Sequence, residues 1–62
     1  MNKLTELYKE IRRYGRILED NDWQDQENFF RHMVIDYEDC LYDIYLKNGD
    51  VKEISIYHNY NS

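Results

Sequence analysis

The stretch YDIYLKNGDVKEISI, residues 42–56, decides the fold because two strand-like runs flank an Asn-Gly pair. Asn48 and Gly49 both tolerate a positive φ, which a tight hairpin turn requires. The flanking runs are rich in β-branched and aromatic residues, which pleated sheets favour. The stretch therefore predicts an antiparallel β-hairpin.

Two registers of this hairpin compete. A two-residue type I′ loop pairs Leu46 with Val51 but sets Ile44 opposite Glu53. A three-residue loop with a bulge at Gly49 instead brings the apolar residues of both arms to one face, namely Cys40, Tyr42, Ile44, Ile54 and Ile56. Because a one-residue slip moves every side chain to the other face of a sheet, we predict the bulged register.

The residues upstream of the hairpin predict one more short strand and two helices. A strand at 34–37 would make a three-stranded meander if a turn forms at Glu38-Asp39. Asn21 or Asp22 can cap a helix at about 22–32, on which three apolar residues fall on one side at helical spacing. These residues are Trp23, Phe30 and Val34 (or Met33).

A first helix is predicted from the N-terminus. Its apolar residues recur at steps of three and four, and they are Leu4, Leu7, Ile11, Tyr14 and Leu18. Asn2 is its expected N-cap, and Gly15 marks either a close crossing or an early end. The predicted fold class is α+β: two N-terminal helices followed by an antiparallel β-hairpin or three-stranded meander, in one domain spanning 1–62.

The composition bounds what this domain can do. A chain of 62 residues buries only about 60% of its unfolded surface, and with Cys40 as its one cysteine it forms no internal disulfide. One lone thiol suits a reducing compartment, so we expect a cytoplasmic protein. The longest apolar run, 33–35, is far too short to cross a bilayer, so we expect no membrane contact.

The residues that could carry chemistry form no catalytic pattern. Cys40 with His32 or His58 lacks an elbow or oxyanion donor, so a packed core thiol is the better interpretation. The carboxylates lack a cleft that would raise one pKa, and no phosphate-binding or dinucleotide motif is present. We therefore expect no enzyme, no cofactor and no metal site.

The net charge of −5 is divided unevenly along the chain. Residues 1–18 carry five basic and two acidic side chains, a net of +3, whereas residues 19–62 carry three and eleven, a net of −8. Four of the basic residues follow helical spacing and predict one basic face: Lys9, Arg12, Arg13 and Arg16. This face could bind phosphates or hold an acidic segment of this chain or of a second copy.

The acidic remainder predicts a protein-binding surface. Carboxylates on one face of a strand repeat about every 6–7 Å, a spacing suited to a row of Lys and Arg on a partner. Tyrosines add rigid contact area and are enriched at interfaces. The candidate residues are Asp36, Tyr37, Glu38, Asp39, Tyr42, Asp43, Tyr45, Asp50 and Glu53, with Tyr57 and Tyr60 nearby. The alternative is an ordinary acidic surface with half-buried tyrosines.

In size, acidity and lack of catalytic residues, the chain resembles small phage or mobile-element proteins that inhibit host machinery, anti-CRISPR proteins among them. Several such inhibitors fill a basic nucleic-acid channel as DNA mimics. The resemblance implies an inhibitor that binds a basic, nucleic-acid-handling host protein such as a CRISPR nuclease. The basic first helix departs from a pure mimic. The alternatives are a dimeric DNA-binding regulator that uses this helix and a structural subunit of a larger assembly.

Overall fold

One helix is followed by four antiparallel strands in a single sheet. The computed structural model describes the backbone of residues 2–59 and the side chains of residues 2–56. Helix α1 spans Lys3–Tyr14, and the strands are β1 (Arg16–Asp25), β2 (Asn28–Tyr37), β3 (Cys40–Lys47) and β4 (Asp50–Asn59). The strand order is β1-β2-β3-β4, a meander in which each strand pairs with the next along the chain.

The predicted second helix at 22–32 is wrong, because this segment forms the end of β1, a turn and the start of β2. Trp23 lies directly opposite Phe30, so the two aromatics share a sheet face through strand pairing. Residues 2–59 therefore form one helix rather than two and four strands rather than two or three. Cross-strand pairing overrides the weak helical spacing of this polar segment.

Helix α1 is confirmed, although the side chains that it buries differ from the predicted set. The side-chain oxygen of Asn2 accepts a hydrogen bond of 2.9 Å from the Leu4 amide, which is the predicted N-cap. Tyr8 and Ile11 are its buried residues, whereas Tyr14 is 68% exposed. Leu18 lies beyond the helix, in β1.

The turn predicted at Glu38-Asp39 is confirmed, with φ values of 50° and 65°. It joins a β2 strand that begins at Asn28 rather than at residue 34. The turn at Asn48-Gly49 is also a two-residue loop, with φ values of 53° and 86°. It pairs Leu46 with Val51.

The β3–β4 register combines the two predicted alternatives. The register shifts between Tyr45 and Leu46, so the bulge falls at Lys52 rather than at Gly49. Ile44 consequently lies opposite Ile54, as the bulged register predicted, although the three-residue loop was wrong. The bulge restores apolar pairing without altering the Asn-Gly turn.

The hydrophobic core lies between α1 and one face of the sheet. Alternate residues of each strand point to this face, so the core is one layer thick. It consists of Tyr8, Ile11, Met33, Ile35, Ile44, Leu46 and Val51, with Leu4, Tyr37, Tyr42 and Ile54 packed against it. Among the described residues, no helix is long and apolar enough to span a membrane.

Gly15 marks both the end of α1 and a close approach between the helix and the sheet. Its amide donates to the carbonyl oxygen of Ile11 at 2.8 Å. A Cβ added to Gly15 would lie 2.6 Å from that oxygen, 2.6 Å from Cγ2 of Ile35 and 2.9 Å from the carbonyl oxygen of Asp36. The early helix end expected at Gly15 is therefore confirmed, and the close approach at this glycine is to strand β2 rather than to a second helix.

We expect Gly15→Ala to lower the free energy of unfolding by about 1–3 kcal/mol, because two of the three crowded atoms belong to the backbone. Urea denaturation measures this change. The φ of Gly15 is −85°, which alanine adopts readily. Without the clash the substitution would stabilise the fold by about 0.4–1 kcal/mol, so a gain in stability would contradict the close packing.

The β1–β2 turn contains a strained residue, since Gln26 has a φ of 56°. We expect Gln26→Gly to raise the free energy of unfolding by about 1 kcal/mol, because glycine adopts this backbone conformation without steric cost. Glu27→Gly is the matched control, since Glu27 is not among the residues with positive φ. Thermal denaturation should show a higher Tm for the first variant only, and equal Tm values would refute this turn geometry.

Candidate functional site

The face of the sheet opposite α1 has no described element packed against it. We call it the open face, and residues directly opposite one another on neighbouring strands define its rows. The rows are Trp23–Phe30–Lys47–Asp50, Asn21–His32–Tyr45–Glu53 and Glu19–Val34–Asp43–Ser55, with Arg16–Asp36–Leu41 at one end. This face presents aromatic, acidic and a few basic side chains to solvent.

The first row contains a stacked aromatic pair with a lysine ammonium near one ring. The rings of Trp23 and Phe30 are stacked with centroids 5.6 Å apart, and Nζ of Lys47 lies 5.9 Å from the centroid of Phe30. Trp23 remains 46% exposed. The stacking shields part of each ring from water but leaves a large apolar area available for contact.

His32 organises the middle of the open face. Its ring stacks on Tyr45 with centroids 4.5 Å apart, and its Nε2 forms a hydrogen bond with Oδ1 of Asp43. The contact fixes the orientation of both side chains, so the Asp43 carboxylate is held in place before any partner arrives.

The structure divides the acidic and tyrosine residues that the sequence grouped into one surface. Five of them lie on the open face: Asp36, Asp43, Tyr45, Asp50 and Glu53. Glu38 and Asp39 form the β2–β3 turn, and Tyr37 and Tyr42 pack against the core on the helix side. The side chain of Tyr57 and the whole of Tyr60 lie outside the described residues.

Tyr37 and Tyr42 contact each other and lie on the helix side of the sheet rather than on the open face. Their rings are tilted, with centroids 6.2 Å apart, and the Tyr37 hydroxyl donates to Oε2 of Glu10 at 2.5 Å. This bond to a carboxylate raises the pKa of Tyr37. Burial, followed by nearby Cys40 and Glu38, raises the pKa of Tyr42. Both tyrosines therefore help to attach the sheet to α1.

The predicted basic face is split between two elements. Lys9, Arg12 and Arg13 lie on α1, but Arg16 belongs to β1, so the inclusion of Arg16 in a helical stripe was wrong. Arg16 forms an ion pair of 3.3 Å with Asp36, and Arg12 donates to the Tyr8 hydroxyl at 3.0 Å. The guanidinium of Arg13 lies 5.4 Å from the centroid of the Tyr14 ring. Three of the four cations thus contact other residues of the same chain, one of them through an acidic side chain.

On the helix side of the sheet, Arg31 and Asp20 form a bidentate ion pair with N–O distances of 2.8 and 2.5 Å. The hydrogen bonds from Arg31 lower the pKa of Asp20 below its ordinary value of 3.8. This pair joins β1 to β2 across the sheet, at a position where α1 does not cover β1. It contributes to the attachment of the edge strand.

A shallow hollow on the open face was not predicted from the sequence. It has a volume of about 280 Å³ and is lined by Leu18, Glu19, His32, Val34, Leu41 and Asp43. The register shift between Ile17 and Glu19 leaves Leu18 without a partner, so two consecutive residues of β1 border the hollow. Of its lining residues, only Asp43 was predicted from the sequence to bind a partner, because the β-bulge has no local signature there.

The thiol and the imidazole considered for catalysis lie apart. Cys40 is opposite Tyr37 on the helix side, whereas His32 is on the open face. The side chain of His58 lies outside the described residues. Within the described part of the chain, no group of three or more His, Cys, Asp or Glu residues is placed to hold a metal ion.

No protein-family model, curated protein sequence or solved structure matches this chain. The interpretation of the site therefore depends on its own geometry.

We expect the Asp20–Arg31 pair to make stability depend on acid pH. Because the pKa of Asp20 is lowered in the folded state, its contribution to stability is present above pH 3.8 and is lost as the pH falls below that value. Between about pH 5 and pH 3, the free energy of unfolding should fall by up to about 1 kcal/mol more for the wild-type protein than for Asp20→Asn. The difference is small because the ion pair is partly exposed.

Urea denaturation at several pH values measures this difference. Asp25→Asn is the control, because Asp25 lies on the same strand and makes no ion pair among the described residues. Parallel profiles of stability against pH for the wild-type protein and Asp20→Asn would contradict a stabilising Asp20–Arg31 ion pair.

Proposed function

We propose that this chain is a non-enzymatic inhibitor whose open face binds a basic surface of a nucleic-acid-handling host protein, such as a CRISPR nuclease. The observation that carries the proposal is the composition of that face. Its carboxylates, Glu19, Asp36, Asp43, Asp50 and Glu53, outnumber its cations, Arg16 and Lys47. They surround exposed aromatics, so the face combines charge with apolar contact area.

The arrangement suits association rather than catalysis. A small, one-sided core leaves an extended sheet surface, and extended surfaces with aromatic anchors and charged rims are typical of protein interfaces. Charge complementarity to a basic channel would speed association and exclude acidic partners. In this proposal the protein acts without a cofactor, in the cytoplasm of a bacterial host, by occupying a surface that would otherwise bind nucleic acid.

The predicted basic face supplies no competing surface of comparable strength. Arg12 on α1 and Arg16 on β1 already contact Tyr8 and Asp36, and the acidic remainder of the chain opposes the approach of phosphates. We therefore assign Arg12 and Arg16 an intramolecular role in the inhibitor, whereas Lys9 and Arg13 are exposed on α1.

A DNA-cleavage assay with a panel of purified CRISPR nucleases tests the proposal. We expect the wild-type protein to inhibit at least one nuclease, more strongly at low salt. A variant carrying Asp36→Asn, Asp43→Asn and Glu53→Gln should inhibit at least about tenfold less, because it removes three charges from the open face.

The matched control changes three carboxylates elsewhere, Glu6→Gln, Asp22→Asn and Glu27→Gln, and so alters the net charge equally. It should inhibit like the wild type. Equal losses in both variants would mean that total charge matters rather than the open face. A panel in which no nuclease is inhibited would reject the proposed target. Sedimentation of the free protein should show a monomer, since a homodimer through the open face would conceal the binding surface.

A further inference from the structure

The hollow lined by Leu18, Glu19 and Asp43 has the chemistry of a receptor for one cationic side chain. Val34 lies between Glu19 on β1 and Asp43 on β3, directly opposite both. It is only 9% exposed although it lies outside the cluster packed against α1, so it forms a floor on the open face. The spacing of neighbouring strands puts the backbones of the two acidic residues about 10 Å apart across this floor.

The residues that line the hollow are both apolar and acidic. Leu18 and Glu19 line it from β1, Leu41 and Asp43 line it from β3, and Val34 and His32 line it from β2. Glu19 forms no ion pair or hydrogen bond with any residue that the structure describes, whereas Asp43 is oriented by His32. Among the described side chains, the Glu19 carboxylate is therefore without a partner, whereas the Asp43 carboxylate is held in place.

The volume of about 280 Å³ lies just below the range of roughly 300–1,000 Å³ that is usual for small-molecule sites. A single long side chain is therefore a better match than a metabolite. Arginine fits both parts of the hollow, because its methylene stem packs on leucine and valine while its guanidinium presents five donors to carboxylates. A lysine ammonium lacks the planar fork that can reach two carboxylates at once.

We propose that the hollow binds one arginine side chain of the partner, with its stem over Val34 and its guanidinium between Glu19 and Asp43. This inference rests on the proposed function, since it assigns the residue of the basic partner that enters the open face. The bulge at Leu18 creates the hollow by directing two consecutive β1 residues to its border. An arginine in such a pocket is typical of the few residues that dominate binding at an interface.

Titration with Nα-acetylarginine amide, followed by ¹H–¹⁵N NMR of the full chain, tests the inference without a nuclease. We expect saturable shifts centred on Leu18, Glu19, Val34 and Asp43. The neutral isostere Nα-acetylcitrulline amide should produce none, and Nα-acetyllysine amide should bind more weakly. Glu19→Gln and Asp43→Asn should each reduce affinity for the arginine probe about threefold to tenfold, because each removes a charged acceptor.

Asp50→Asn is the control, since it removes one charge from the same face outside the hollow and should leave the arginine shifts unchanged. Glu19→Gln should leave the fold intact, because Glu19 forms no ion pair or hydrogen bond within the part of the chain that the structure describes. A loss of affinity in this variant is therefore not a folding artefact. Shifts spread evenly over the acidic surface, equal shifts with citrulline, or equal effects of Asp50→Asn and Glu19→Gln would overturn the arginine site. Those outcomes leave the nuclease assay to decide the proposed function separately.

Discussion

The structure depends on one constraint: a helix of twelve residues covers only one face of a four-stranded sheet. Tyr8 and Ile11 pack with Met33 and Ile35. Gly15 has no side chain, so the chain can turn from α1 into β1 close to the sheet. This contact stabilises the helix face alone. The open face must therefore be stable in water through its own contacts, and those contacts determine which side chains are presented to a partner.

The contacts on the open face are ring stacking, an ion pair and a hydrogen bond rather than a second apolar layer. Trp23 with Phe30, and His32 with Tyr45, shield each other's rings while remaining partly exposed. Asp36 pairs with Arg16, and Asp43 with His32. These pairs stabilise the sheet modestly because they are partly solvated. They also hold side chains in defined positions, which lowers the entropic cost of binding a partner.

The parts of the fold with strong local chemistry could be predicted from the sequence. The Asn48-Gly49 turn, the Glu38-Asp39 turn and the capped first helix are all present. Strand β1 was missed because its Asp, Asn and Gln residues are depleted in strands and its turn at Gln26 lacks glycine. In β2, residues 34–37 were predicted as a strand, but residues 28–32 were assigned to a helix because Trp23, Phe30 and Val34 also fit a helical spacing.

The candidate site could be predicted only in part. The predicted residues Asp36, Asp43, Tyr45, Asp50 and Glu53 lie on the open face. Tyr37 and Tyr42 point to the helix side because their strand positions place them there. The hollow depends on the bulge at Leu18, which arises when β1 pairs with β2 and cannot be inferred from local residue types.

Acrylamide quenching of Trp23 fluorescence tests the central claim, that the face opposite α1 is uncovered in the free protein. Trp23 is the only tryptophan and is 46% exposed, so its quenching constant should be at least about half that of the urea-unfolded chain at every protein concentration. A strongly shielded tryptophan, or one that becomes shielded as the protein is concentrated, would contradict an open face.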